Sequence, residues 1–289
     1  MRSHTSPTKP ERLADAPPPK ALPPPRFVDY LLFLPFVIAF LLVLLIFDLT
    51  QRIAFLFGRS AHARAVNQLN HYLLYTLQIL RIKVEIKGLY PLEAARPYII
   101  VSNHQSLIDI PILHCLYPER APKFIAKKEL AYGLPTVSFN LRNGKNCLID
   151  RKDPEQAVGE ITKFAQLIER EKMIATIFPE GTRARDGRLK RFRPTGLMAL
   201  LDNAPSAQII PVTIEGSWML QARRWGPVPV GATIHVIVHP LLKQEDFRGP
   251  LELCRETQKS VERDLTSFRR PSSPDAPAAR PSDPSPSQA

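Results

Sequence analysis

The sequence predicts an α/β domain with a mixed, largely parallel sheet flanked by helices, preceded by a membrane-embedded helix or helical hairpin. Three observations carry this. Short β-branched runs alternate with helical stretches through the middle of the chain. An uninterrupted apolar run lies near the N-terminus, and polar motifs follow directly on several of the expected strands.

The apolar run covers residues 30–47 and contains no charge, with Asp29 and Asp48 at its borders. About 18 residues are just enough to cross the hydrocarbon core as a helix. The late start, and the lack of a small-residue cleavage site after Phe47, speak against a signal peptide. Arginines and lysines are nearly balanced across the run, so the positive-inside rule gives no orientation. Pro35 could bend the helix. Apolar stretches at 53–57 and 69–80 would then complete a hairpin in one leaflet, attached from the cytoplasmic side, with spanning left as the alternative. Residues 27–82 are therefore read as the membrane-anchoring part. Within it, Val66, Leu69, Leu73, Leu77 and Leu80 fall near a helical spacing, which predicts an amphipathic helix over 64–81.

Residues 83–270 are read as the folded α/β domain. Expected strands are 84–87, 98–102, 124–126, 147–150, 174–178, 209–214 and 233–239. Expected helices are 106–117, 128–142, 154–170 and 252–268. In the third, Ala157, Ile161, Phe164 and Ile168 form one apolar stripe, and Pro154 sits in the first turn, where a missing N–H is harmless. About half of the 30 prolines lie in residues 1–26 and 271–289, which have too little apolar content to repay ordering and are expected to be disordered.

The net charge of +12 suits nucleic acid, an anionic membrane or anionic small substrates, and does not choose among them. Basic residues are not interleaved with stacking aromatics, which argues against nucleic acid. Cys115, Cys147 and Cys254 have no motif spacing and read as buried small hydrophobes, with no metal site expected.

The segment Asn103-His104-Gln105-Ser106-Leu107-Ile108-Asp109 follows an expected strand directly. His104 and Asp109 are five apart, and on one continuous helix they would point about 140° away from each other. With His104 in the turn ahead of the helix, Asp109 can fold back to the ring and orient it, leaving the imidazole as a base for a substrate hydroxyl. Alone, such a pair is weak evidence, since a capping histidine with a solvated aspartate has the same spacing. Phe178-Pro179-Glu180-Gly181-Thr182-Arg183 follows another expected strand. There Gly181 permits close approach of a ligand, Thr182 offers a hydroxyl and Arg183 a fork for phosphate. Arg185, Arg188, Lys190, Arg191 and Arg193 read mainly as a solvated or headgroup-facing loop.

Together these segments resemble the 1-acyl-sn-glycerol-3-phosphate acyltransferase family of glycerolipid acyltransferases. NHQSLID fits its NHxxxxD motif, Cys147-Leu148-Ile149-Asp150-Arg151 its second, residues 178–183 its FPEGTR motif, and Ile210-Pro211-Val212-Thr213-Ile214 its fourth. Phe124–Leu130 is similar to the family's linker, whereas Leu134–Phe139 has Ser138 where a glycine is commoner. The resemblance implies acyl transfer from acyl-CoA or acyl carrier protein to the free hydroxyl of a lysophospholipid, without metal, other cofactor or acyl-enzyme. It implies His104 as general base, Asp109 as its orienter, and Arg151, Glu180, Gly181, Thr182 and Arg183 around the acceptor phosphate. Pro211 would help shape the acyl-donor side. The expected partners are the two substrates and membrane lipids, at a bacterial inner membrane with the catalytic domain facing the cytoplasm. Rival readings are a different acceptor, such as a lyso-ornithine lipid, and a non-catalytic membrane-surface binding protein.

Overall fold

The computed structural model describes residues 22–223 and 226–267. The tails expected to be disordered lie outside the described residues, apart from 22–26. The domain is built on seven strands: β1 (Lys83–Lys87), β2 (Tyr98–Ser102), β3 (Lys123–Lys127), β4 (Cys147–Ile149), β5 (Ile174–Ile177), β6 (Gln208–Glu215) and β7 (Thr233–Val238). Their order in the sheet is β1-β7-β6-β2-β5-β3-β4. Only β6 and β7 pair antiparallel; the remaining pairs are parallel. The C-terminal ends of β2 to β6 therefore share one rim. All seven strands fall where the sequence placed them, within two residues at either end.

Helices cover both faces, which is why β2 reads as an apolar run up to Ser102, with all five residues buried. On one face Ile99, Val101, Ala175 and Ile177 pack on α5 (Pro154–Glu171), α6 (Pro194–Asn203) and α7 (Pro250–Ser267) through residues such as Phe164, Ile168, Leu197, Leu200 and Val261. Asp153 caps α5 by accepting from the Gln156 N–H at 3.0 Å, with Pro154 in its first turn. On the other face Tyr98, Ile100, Ile210 and Val212 pack on Leu77, Leu80, Ile112 and Leu113. Ile112 and Leu113 belong to α3 (Asp109–Leu116).

Two expectations about helices are corrected, and one helix is added. The helix expected from residue 106 starts only at Asp109, because the N–H groups of Gln105 and Ser106 turn back onto the Asp109 carboxylate. The helix expected over 128–142 is a 3-10 turn, Lys128–Ala131, then an open loop and the short α4 (Val137–Asn143). Gly133 at φ 79°, Pro135 and Thr136 at φ 58° interrupt it. Helix α6 was not anticipated.

The N-terminal helix α1 (Phe27–Leu56) is longer than the apolar run that announced it, with Pro35 inside. It is followed at Gly58 by α2 (Arg59–Thr76), which packs against it and continues as a 3-10 turn through Leu80. Much of α1 remains exposed, including Leu34, Ile38, Leu41, Leu45, Leu49 and Ile53. It is long and apolar enough to cross a membrane. Both of its ends are tied to the sheet domain. Asp29 accepts from the Val230 N–H at 2.9 Å, and Arg26 donates to the Val230 carbonyl at 2.8 Å. At the far end Asp48 accepts from the Thr136 N–H at 2.6 Å, and Gln51 donates to the Thr136 hydroxyl.

Candidate active site

The strand-end turns of β2 and β5 interlock on the shared rim. As β2 ends, the Asn103 side chain bridges to β6, donating to the Ile214 carbonyl at 2.7 Å and accepting from the Ile214 N–H at 2.8 Å. This fixes where the next residue, His104, leaves the sheet. The turn after β5 then holds the His104 backbone from both sides. Glu180 accepts its N–H at 2.8 Å, and Ala184 donates to its carbonyl at 2.7 Å. The Phe178 ring stacks on the imidazole with centroids 4.0 Å apart.

His104 Nδ1 lies 2.8 Å from Asp109 Oδ2. The same oxygen accepts the backbone N–H of Gln105 at 2.6 Å and of Ser106 at 2.8 Å. The other carboxylate oxygen accepts the Ser106 hydroxyl at 3.2 Å and the Ser217 hydroxyl at 2.5 Å. Asp109 is fully buried, and five donors converge on it. This assigns the Nδ1 proton to the aspartate side. His104 Nε2 has no hydrogen-bond partner among the described residues, and the side chain keeps 13% of its surface exposed. An imidazole held in this way can take a proton at Nε2 and be stabilised as the cation.

Glu180, expected around the acceptor phosphate, braces the turn. It is fully buried, its two oxygens taking the N–H groups of His104 and, at 3.2 Å, Lys190. Burial pushes its pKa up to about 8, against the pull of those N–H groups and Lys190. Gly181, at φ 69°, gives the turn its left-handed step, and a Cβ built there would lie 4.0 Å from Arg193 Cδ. The Thr182 side chain is engaged by Lys190, whose ammonium also donates to the Arg183 carbonyl at 2.6 Å. Arg183 donates to Gln221 at 2.9 Å.

The cationic groups on this rim repel one another. Partial burial, then Arg185, lowers the Arg183 pKa from the ordinary arginine value, while Asp109 opposes the shift. Arg151, in the turn after β4, keeps part of its surface exposed. Desolvation on its protein side and the charges of Arg193 and Arg183 still lower its pKa, with Glu129 opposing. Four arginines, Arg151, Arg183, Arg185 and Arg193, with Arg183 in the field of Arg185 and Arg151 in the fields of Arg183 and Arg193, make the surroundings of the glycine turn a site for an anion such as phosphate.

His104, Asp109, Glu180, Gly181, Thr182 and Arg183 thus meet on one rim, with Arg151 alongside. Pro211 does not join them. It is buried within the sheet, level with Val101, and its carbonyl accepts from the His239 N–H at 2.9 Å. Sequence reasoning missed Ser217, Phe178 as the stacking partner, and Gln105, whose side chain donates to Glu215 at 3.1 Å. Ser217 follows Gly216, at φ 97°, just past the end of β6. That strand-end Gly-Ser was its one visible signal. Among the described residues, no group of three or more His, Cys, Asp or Glu side chains is placed to hold a metal ion.

The family model described as Acyltransferase matches residues 83–215. A 1-acyl-sn-glycerol-3-phosphate acyltransferase of Cocos nucifera is 34% identical over 137 residues, which are 46% of this chain and 42% of that one. The alpha form from Homo sapiens is 26% identical over 168 residues, 58% of this chain and 59% of that one. The Saccharomyces cerevisiae enzyme is 27% identical over 148 residues, 51% of this chain and 48% of that one. The chain thus spans about half the length of the curated relatives it matches. The crystal structure of the 1-acyl-sn-glycerophosphate acyltransferase PlsC from Thermotoga maritima shares the fold, with a TM-score of 0.66 and 23% identity over 85% of this chain and 98% of that one.

Proposed function

We propose that this chain, whose residues 83–215 match the Acyltransferase family model, acylates the free hydroxyl of 1-acyl-glycerol-3-phosphate, giving phosphatidic acid. The observation that carries this is the His104–Asp109 pair at 2.8 Å, with Nε2 open beside an arginine-bearing turn. The acceptor phosphate is held by Arg183 and Arg151. Its hydroxyl oxygen attacks the thioester carbonyl of acyl-CoA or acyl carrier protein while Nε2 takes the hydroxyl proton. The tetrahedral adduct collapses, the carbon–sulfur bond breaks, and the leaving thiolate recovers the proton from His104. Asp109 keeps the ring in the productive tautomer throughout.

The test is acyl transfer from labelled long-chain acyl-CoA, and separately from acyl carrier protein, to lysophosphatidic acid and to other lysolipids. Arg183→Ala separates acceptors. With lysophosphatidic acid it is expected to raise KM strongly, because a charged hydrogen-bond partner worth about 1.5–3 kcal/mol is lost. A phosphate-free acceptor such as a lyso-ornithine lipid should hardly respond. Equal loss with both acceptors would remove Arg183 from the phosphate site. Salt-sensitive liposome binding without transfer from any donor would favour the membrane-surface binding protein.

The same reading puts the chain on the cytoplasmic face of a bacterial inner membrane, with α1 lying in one leaflet. From Asp29 to Asp48 the helix runs about 29 Å, close to the full hydrocarbon thickness of about 30 Å. Yet both residues bond to loops of the one sheet domain. A spanning helix would need those loops on opposite sides of the bilayer. Single cysteines at Arg26 and Gly58 should both react with an impermeant maleimide from the same side of sealed vesicles. Labelling from opposite sides would establish spanning.

A further inference from the structure

The loop that leaves the 3-10 turn Lys128–Ala131 for α4 holds Tyr132 and Leu134, and the turn itself holds Leu130, with 72%, 44% and 41% of their surfaces exposed. It is a braced loop. The Ser138 hydroxyl accepts the Leu134 N–H at 2.9 Å and donates to the Leu130 carbonyl at 3.0 Å. Arg142 donates to the Ala131 carbonyl and lies over the Tyr132 ring at 5.5 Å. Ala131 between the exposed groups is buried. A backbone pinned at these points keeps three large apolar side chains turned outward, and such a patch marks a surface that meets something other than water.

Topology says what that is. The loop follows β3, which lies between β5 and β4, and these three strands run parallel. It therefore leaves the rim between the turn bearing Gly181 and Arg183 and the turn bearing Arg151. Its far end, the fully buried Thr136, is the residue that receives Asp48 and Gln51 of α1. The patch is thus continuous with the helix whose exposed Leu45, Leu49, Ile53 and Leu56 need a lipid environment. A tyrosine between two leucines, with an arginine on its ring, has the composition of a segment seated at the headgroup–acyl boundary. Lys127 pairs with Glu129 at 2.9 Å and Lys128 with Asp150 at 2.7 Å, which keeps the local charge near balance.

We propose that residues 130–134 are a second membrane contact, seated by apolar burial in the phospholipid surface, so that the His104 rim faces the lipid from which the acceptor enters. This requires membrane attachment through α1 and is independent of which lysolipid is acylated.

The test uses full-length protein in phosphatidylcholine–phosphatidylglycerol vesicles, with and without brominated acyl chains. Tyr132→Trp is read against the background of Trp218 and Trp225 in the unsubstituted protein. The added tryptophan is expected to emit to the blue, to lose most of its emission to bromolipid, and to do so equally at low and high salt. Glu119→Trp, at the exposed middle residue of the turn Pro118–Arg120 ahead of β3 at the opposite rim, should remain unquenched. Water-like emission from the Tyr132→Trp variant, without bromolipid quenching, would overturn the proposal. So would shielding from aqueous acrylamide without bromolipid quenching, since protein or a bound acyl chain would then be the cover. As a second reading, the double variant Leu130→Ser, Leu134→Ser should raise KM severalfold for lysophosphatidic acid presented in vesicles and leave kcat in detergent micelles unchanged. The quenching result stands even if no acyl transfer is found.

Discussion

Replacing His104 by alanine is expected to lower kcat by about 10²–10⁴, the range that a positioned general base supplies. The chain should stay folded. His104 Nδ1 is one of five donors to Asp109, so the carboxylate keeps four partners without it. The clamp from Glu180 and Ala184 acts on the His104 backbone, which alanine retains. What goes is the stack on Phe178, worth about 0.5–1.5 kcal/mol. The melting temperature in detergent should therefore fall only slightly while turnover collapses, and KM for lysophosphatidic acid should barely move because Arg183 and Arg151 are untouched. The vacated space between Phe178 and Asp109 also suggests partial rescue by free imidazole. Near-wild-type turnover in purified His104→Ala would end the assignment of the base, whatever the reaction proved to be.

The sequence showed the His104–Asp109 pair but not why it is rigid. NHQSLID names both partners, and helical geometry already required His104 to precede the helix. It did not show that Asp109 itself opens α3, because that depends on a side-chain acceptor capturing the Gln105 and Ser106 N–H groups that a helix from residue 106 would have needed. Ser217 lies 108 residues from Asp109 and reaches it only because β6 pairs with β2. Local pattern carries no term for which strands become neighbours. The FPEGTR turn was equally visible as an anion site, whereas the role of Glu180 turned on burial: an exposed carboxylate and a buried brace look the same in sequence. The apolar run alone predicts a helix ending near Phe47, since Asp48, Gln51 and Arg52 are polar. In the folded chain Asp48 and Gln51 face Thr136, so their polarity marks the dock with the domain and the helix continues through it.

Asp109→Asn tests the other half of the pair more sharply than alanine would, since size and shape are kept. The aspartate receives three N–H donors on Oδ2 and two hydroxyls on Oδ1. An asparagine can offer its one oxygen to the N–H side and turn its NH₂ toward Ser106 and Ser217, whose hydroxyls can reverse and accept. The local backbone then survives with a stability loss on the order of one charge-assisted hydrogen bond, about 1.5–3 kcal/mol. Nothing in that arrangement replaces the negative charge that stabilises the imidazolium as the acceptor hydroxyl loses its proton. The loss in kcat is expected to fall within about 10²–10⁴, the range over which a general base acts, because the base is no longer stabilised as it takes the proton. KM for the acceptor should again stay close to that of the unsubstituted protein. Ser217→Ala removes one donor and leaves the charge, so its effect on kcat must be much the smaller of the two. If the two variants lost activity equally, Asp109 would be acting through the packing of the turn alone. If Asp109→Asn raised KM as steeply as it lowered kcat, the carboxylate would be shaping the acceptor site, and the base would need another partner.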